Sequence, residues 1–289
     1  IARRTSSRPI LFTYGVSATV EEFMMLTFAH STTLTPFMNH LGNLPNTAFF
    51  VTTIMDAQGM GADDWGELQR NLLATIPVYD RINRFATMGQ VSRWRRMVRE
   101  MLPDGKVLEV GCGPGSFAED VIGRELVCLD PIPEMLAAAE ERVNSARRGR
   151  GDDPAKFVEG TAEELPFDDD SFDALCSLFS FRDWYDKKAG LSESLRVLKP
   201  GSPIIIVDPA KINRVHGFLG ILWMRVWVGA YARVVCGQRD HPWKWLTKTY
   251  SEFGTTRDYV SMLKEVGFAD VKARVIFPGM ATIWSARVP

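Results

Sequence analysis

An α/β fold with a mostly parallel sheet and helices on both faces is what this sequence predicts, and two observations carry the prediction. The first is the run KVLEVGCGPGS at 106 to 116, in which an apolar strand pattern, Lys106 to Val110, passes directly into a glycine turn. The second is the order of the downstream runs: ELVCLD at 125 to 130, then KFVEGTAEELPFDDDSFDALCSLFS at 156 to 180, then LRVLKPGSPIIIVD at 195 to 208. Short apolar runs alternating with longer helical stretches build βαβ units, whose crossovers force neighbouring strands to run parallel.

The glycine turn indicates the ligand. A dinucleotide site requires G-x-G-x-x-G/A, with the last small residue packing a helix whose N-terminus meets the pyrophosphate. Here Gly111, Gly113 and Gly115 fall at every second position, and Ser116 stands where the last small residue would be. An acid, Glu109, precedes the turn and suits a cationic ligand better than a pyrophosphate. The turn is expected to end in a helix. Asp130 closes the next apolar run, where one carboxylate can accept hydrogen bonds from both hydroxyls of a ribose.

Composition narrows the class. With 289 residues, 46% hydrophobic and 24% charged, the chain can bury one large core and a smaller appended one. A formal charge of -1 gives no general attraction to nucleic acid, and no basic block is longer than RWRR. Cys112, Cys128, Cys176 and Cys236 lack C-x-x-C spacing, three of them sit in apolar runs, and reduced structural thiols are expected. The histidines are scattered, so no metal site is expected. No stretch reaches about 18 uninterrupted apolar residues, which predicts a soluble or peripheral protein. The opening IARRTSSRP carries Arg and Ser without acids, as either a transit-peptide remnant or an ordinary basic terminus would. The expected location is intracellular: cytoplasm, an organellar matrix, or the inner face of a membrane.

Three stretches organise the chain. Residues 1–76 read as a mostly helical extension, with a capping box at Thr19 to Glu22, a helix from Pro36 to Gly42, a loop at 58 to 64, and Asp64 and Glu67 capping a further helix. Residues 77 to 102 read as two helices before the first strand. The rest carries the alternating elements, with RRGRGDDP at 147 to 154 as a polar turn and a cap or substrate segment around 210–256.

The quoted runs resemble those of class I S-adenosylmethionine methyltransferases, which implies a Rossmann-like, mostly parallel seven-stranded sheet over 77–289. The resemblance places S-adenosyl-L-methionine against Glu109, Gly111, Cys112, Gly113, Gly115, Asp130, Pro131, Ile132, Met135, Thr161, Ala162, Glu163 and Ser177. Within that class, YDRINRFATMGQVSRWRR at 79 to 96, FSFRDWYDKKAGLSESLRVLKPG at 179 to 201 and HPWKWLTKTYSEFGTTRDYVSMLKEVGF at 241 to 268 look like the ubiquinone and menaquinone biosynthesis C-methyltransferase family. Tyr79, Asp80, Asn83 and Arg182 match its motif positions. The chain departs from the family pattern at the glycine turn, at Val91, Ser92 and Asp183, and at Trp243 and Trp245.

The resemblance implies C-methylation of a prenylated quinol, with Arg182 and Tyr79 as catalytic residues and Asn83, Phe179, Trp223, Trp227 and His241 as substrate contacts. Methyltransfer to another lipid or phenol, or a non-catalytic assembly role on the same fold, are the alternatives. A fixed guanidinium at Arg182 would favour a phenolate electrostatically, or else pair structurally with Asp183 or Asp186. Tyr79 would close over the methyl group, contact substrate, or serve as a core aromatic. In KINRVHGFLGILWMRVWVGAYARVVCG at 211 to 237, Lys211, Arg214, Arg225 and Arg233 share one helical arc, with Trp223, Trp227, Tyr231 and Val234 away from it. Such a helix rests in a membrane interface, lines a slot for a prenyl tail, or caps the site as a buried element.

Overall fold

A computed structural model of the chain describes residues 76–236, 250, 253–277, 279 and 281–289, all within the unit running from Thr52 to Pro289. The expectations for residues 1–75 and for His241, Trp243 and Trp245 lie outside these residues.

The elements run α1 (Tyr79–Ala86), α2 (Val91–Met101), β1 (Lys106–Val110), β2 (Glu125–Asp130), α3 (Pro133–Arg148), β3 (Lys156–Glu159), β4 (Ala174–Leu178) and α4 (Lys187–Val197). Beyond α4 come β5 (Pro203–Pro209), α5 (Arg214–Trp223), a π-helical turn (Met224–Val228), α6 (Gly229–Cys236), α7 (Thr256–Val266), β6 (Ala269–Ile276) and β7 (Ala281–Arg287). The sheet order is β3-β2-β1-β4-β5-β7-β6. The first five strands are parallel, while β7 is antiparallel to both β5 and β6.

Strands appear as continuous apolar runs because both sheet faces are covered. Along β5, Ile204 and Ile206 enter one core with Leu108, Leu175 and Trp284, while Ile205 and Val207 enter the other with Val107, Leu126 and Cys176. The alternation is the two-residue period of a strand. All four cysteines are free, and three are buried. Helix α7 starts in a capping box, Thr255 with Asp258, and stops at left-handed Gly267.

Two local expectations are corrected. After the glycine turn only a short 3-10 turn forms, Ala118–Asp120, instead of a helix. Gly111, Gly113 and Gly115 hold φ of 73, 53 and 74°, which keeps the backbone out of the helical region until few residues remain before β2. The stretch 147 to 154 is also not simply a polar turn. Arg147 and Arg148 end α3, and Arg147 is 1% exposed. Its guanidinium donates to the carbonyls of Val121 at 2.9 Å, Arg124 at 2.8 Å, and Asp153. It thereby fastens the β1–β2 connection and the entry to β3 to the end of α3.

Replacing Arg147 with Met leaves those carbonyls without their charged donor, and thermal or urea unfolding should register a loss of about 3 kcal/mol or more. A loss under about 1 kcal/mol, within the scatter of surface changes, would show that the fastening is redundant.

Candidate active site

Strand order reverses at β1, which has β2 on one side and β4 on the other, and a crevice opens beyond the carboxyl ends of these strands. Gly111, Asp130, Pro131, Ile132, Thr161, Ala162, Glu163, Ser180, Asp183 and Trp184 line this first pocket. Asp130 is held by backbone N–H groups, with Gly113 N donating to Oδ2 at 2.8 Å and Ile132 N to Oδ1 at 3.1 Å. Each oxygen retains a lone pair for a hydroxyl ligand. Gly111 is required because a Cβ there would run into the Ser180 side chain, and Gly115 because a Cβ would sit 2.7 Å from Val143 and 3.1 Å from Ala139 of α3.

Not every predicted cofactor residue lines the pocket. Ser177 is fully buried and braces Ser180, Oγ to Oγ at 2.7 Å, while Ser180 Oγ donates to Val110 O at 2.9 Å. The pocket residue is therefore Ser180, because side chains alternate along β4 and only the chain past its end reaches the crevice. Cys112, Gly115 and Met135 shape the loop and the first turn of α3 from behind; Met135 and Cys112 are buried.

Glu109 is 2% exposed, and its Oε2 has no hydrogen-bond partner among the described residues. Burial pushes its pKa up to about 8, with Arg95 pulling it down and Asp130 adding to the rise. Burial also lifts Asp130 to about 6, against the two backbone donors. An orphaned, buried carboxylate oxygen suits the ammonium of an amino-acid moiety, and Asp130 suits a ribose, so these residues fit S-adenosylmethionine.

A second pocket adjoins the first and is almost wholly apolar, with Ala86, Trp94, Phe179, Pro209, Met224 and Phe253 among its walls. Asn83, Thr87, Arg182 and Tyr250 supply its polar atoms. Phe179 adopts φ +64°, uncommon for a residue with a side chain, and its ring lies 6.1 Å from that of Trp94. Trp94 is fixed by donating to Phe277 O at 3.1 Å. Burial alone raises the Tyr250 phenol to about 12, so it stays protonated.

Arg182 both lines this pocket and is ion-paired. Its backbone N donates to Asp208 Oδ2 at 3.0 Å, its Nη1 to Asp208 Oδ1 at 3.2 Å, and its Nε lies 3.5 Å from Asp183 Oδ1. Asp186 is not its partner; it caps α4 by accepting from Ala189 N. Asp208 is fully buried, and burial pushes it up to about 7 while Arg182 draws it down. Lys187 Nζ donates to the carbonyls of Arg182 at 3.0 Å and Trp184 at 3.3 Å. Tyr79, half-buried, has a phenol raised by burial, opposed by Arg182 and Arg95 and by a hydrogen bond with Asn83. Its neighbours therefore include one residue acting on Glu109, Arg95, and two lining the second pocket, Asn83 and Arg182.

Trp223 and Trp227 do not reach the second pocket. Trp223 donates to Ala86 O at 3.2 Å, and Trp227 is 59% exposed. Gly220 and Met224 take their place on the inner face. The four-residue recurrence of Met224, Val228 and Ala232 and the π-helical turn between α5 and α6 set which side faces inward. Sequence reasoning also missed Asp208, although it ends IIIVD as Asp130 ends ELVCLD, and an acid closing an apolar run is the same signal. Arg95 and Arg142 carried no signal. Asp80 pairs with Arg95 at 3.2 Å and Arg142 at 2.8 Å, and Arg142 with Glu119 at 2.6 Å, tying α1 to the glycine-turn side of the site.

This sheet order, with a ribose-type acid ending β2 and an orphaned acid before a glycine turn, defines an S-adenosylmethionine-dependent methyltransferase. The fold of such an enzyme from Thermotoga maritima superposes with a TM-score of 0.52 at 21% identity over 78% of this chain and 99% of that one. Phosphoethanolamine N-methyltransferase 2 of Haemonchus contortus, solved with S-adenosyl-L-methionine, gives 0.51 at 15% identity over 70% and 53%. The ubiE/COQ5 methyltransferase family model matches residues 72–287, and the chain belongs to that family. It is 30% identical to the demethylmenaquinone methyltransferase of Thermotoga maritima over 71% of this chain and 89% of that protein. Against the ubiquinone/menaquinone biosynthesis C-methyltransferase UbiE of Geobacter sp. (strain M21), identity is 30% over 76% and 95%.

Asp130→Ala should weaken S-adenosylmethionine binding about 100-fold or more in calorimetry, because two hydrogen bonds to a carboxylate are lost at about 1.5 kcal/mol or more each. An unchanged affinity in a folded variant would place the ribose elsewhere. A cationic ligand favours ionised Glu109, so binding should release a proton, and affinity should rise up to about tenfold per pH unit between the shifted values of about 6 and about 8. Glu109→Gln should flatten that dependence; a slope preserved in the variant would assign the proton to another group. In the ligand-free protein the sign is opposite: raised carboxyl pKa values favour the fold at low pH, and that contribution fades as pH rises through about 6 and about 8.

Proposed function

We propose that this enzyme C-methylates a prenylated quinol of the demethylmenaquinol or benzoquinol type, with Arg182 as the residue that activates the ring. The observation that carries this reading is a fixed guanidinium in the wall of a mostly apolar pocket beside the cofactor crevice. The names of the relatives, a demethylmenaquinone methyltransferase and a ubiquinone/menaquinone biosynthesis C-methyltransferase, support it.

When bound, the cofactor supplies a methyl group on a sulfonium. The protein's part is to orient the ring, exclude water and make a ring carbon electron-rich. That carbon becomes nucleophilic when the neighbouring hydroxyl is ionised, and a guanidinium at the oxygen stabilises the phenolate. Arg182 is pre-set for this by Asp208 and Asp183, which hold it in place and keep it charged. Apolar walls from Trp94, Phe179 and Phe253 fit the ring and the first part of a tail. Asn83 lines the second pocket and Tyr79 hydrogen-bonds with it near Arg182, so both fit a role in aligning the ring. A prenylated substrate stays in a bilayer, so we assign the enzyme to a membrane surface as a peripheral protein.

The test is transfer of labelled methyl to a short-tailed demethylmenaquinol and to a matching benzoquinol. Arg182→Lys should lower kcat by about 100-fold, the scale of losing one fixed electrostatic donor, with cofactor affinity near wild type. Normal turnover by a folded Arg182→Lys variant would remove the phenolate role. Methylation of simple phenols in preference to either quinol would overturn the substrate assignment.

A further inference from the structure

The helix from Arg214 to Cys236 carries more apolar surface than its packing uses. Its inner face is accounted for: Met224, Val228 and Ala232 are buried with Ile82 and Ala86 of α1, and Tyr231 stacks on Phe85 at 4.0 Å. The outer face shows Val215 (71% exposed), Phe218 (65%), Leu219 (57%), Leu222 (48%), Val226 (48%) and Trp227 (59%). Steps of three and four place these on one side. Phe277, 70% exposed, extends the patch past the start of α5, where Gly279 lies against Ile212 and His216.

A continuous apolar face of this kind has a partner, and its charge selects which. No Asp or Glu occurs between Lys211 and Cys236, while Arg225 and Arg233 are exposed beside the apolar residues. Val215–Cys236 is long and apolar enough to cross a membrane by length and composition alone. That modifies the expectation of no such stretch, because two isolated arginines break the apolar run without ending the helix. Yet one side is packed on α1 and the other bears the arginines, which is the form of a helix lying in an interface. In that position aromatic rings sit at headgroup depth and guanidinium groups reach phosphates. The same helix presents Gly220 and Met224 to the pocket that holds Arg182. It is both an outer surface and a wall of the substrate site.

We propose that this outer face seats on an anionic lipid surface and that the quinol enters the Arg182 pocket from the bilayer, past Gly220 and Met224. Docking stands on the exposed face alone, whereas the entry route rests on the quinol reading above. The test is co-sedimentation with vesicles of phosphatidylcholine containing phosphatidylglycerol, alongside turnover of a long-tailed quinol in those vesicles and of a short-tailed quinol in solution. Two variants divide the face: Phe218→Asp with Leu222→Asp removes apolar contact, and Arg225→Glu with Arg233→Glu removes charge.

Wild type should sediment with the vesicles, and each variant should lose at least about tenfold in binding. Turnover of the long-tailed quinol should fall in parallel, with the short-tailed rate and the melting temperature held. Vesicle binding that survives in both variants would overturn the docking face. A wild-type dimer that binds no vesicles and dissociates in the variants would assign the face to a second copy and equally overturn it. Equal loss on both quinols would overturn the entry route, since the helix would then act only as pocket wall. Vesicle binding lost in the variants, with no quinol methylated even by wild type, would defeat the quinol reading and leave the docking face standing.

Discussion

The reversal of strand order at β1 is the constraint on which the site depends. Because the connections after β1 and β4 pack on opposite faces of the sheet, neither covers the space between their carboxyl ends, and backbone there can face a ligand. The glycine turn uses that space by folding back over β2, with Gly111 N and Cys112 N both donating to Leu129 O at 2.7 and 3.1 Å. Ser180 closes the other side through its bonds to Ser177 and Val110. The crevice is thus braced on both flanks by short polar contacts within a sheet that is otherwise apolar on both faces.

The same burial controls the electrostatics. Glu109, Asp130 and Asp208 stand at or near the carboxyl ends of three strands, and desolvation raises all three well above ordinary carboxyl values. They are offset differently. Asp208 has its cation within the protein, in Arg182, whereas among the described residues Glu109 Oε2 has no hydrogen-bond partner and Asp130 has backbone donors. A site with one acid already neutralised and two without a cationic partner among the described residues fits a cationic, hydroxylated cofactor on one side, and it leaves a fixed guanidinium in the wall of the neighbouring pocket.

The elements outside the sheet decide access. Helix α1 stands between the ion pairs around Asp80 and the apolar packing of Met224 and Val228, so it joins the cofactor side of the site to the helix that walls the second pocket. A change in α1 would be felt at both. From α1, Tyr79 stands near Arg182 and Arg95, and Asn83 lines the second pocket with Arg182.

The methyltransferase class and the choice of Arg182 came from the likeness to a family, while by itself the sequence determined the first two strands to the residue, the two helices before them, and Asp130 as the acid that ends the second strand. Those are local matters: apolar periodicity, glycine spacing and an acid ending a strand are written in adjacent residues. Only the tertiary structure decided that Ser180, not Ser177, faces the crevice. It also decided that Arg182 pairs with Asp208 from the next strand, that Arg147 is a buried fastening, and that Trp223 turns inward while Trp227 turns out. Each of these depends on which distant segment lies opposite, through strand order, the rotation of a helix on its neighbour, or the burial of a charge, and a one-dimensional pattern does not contain that pairing.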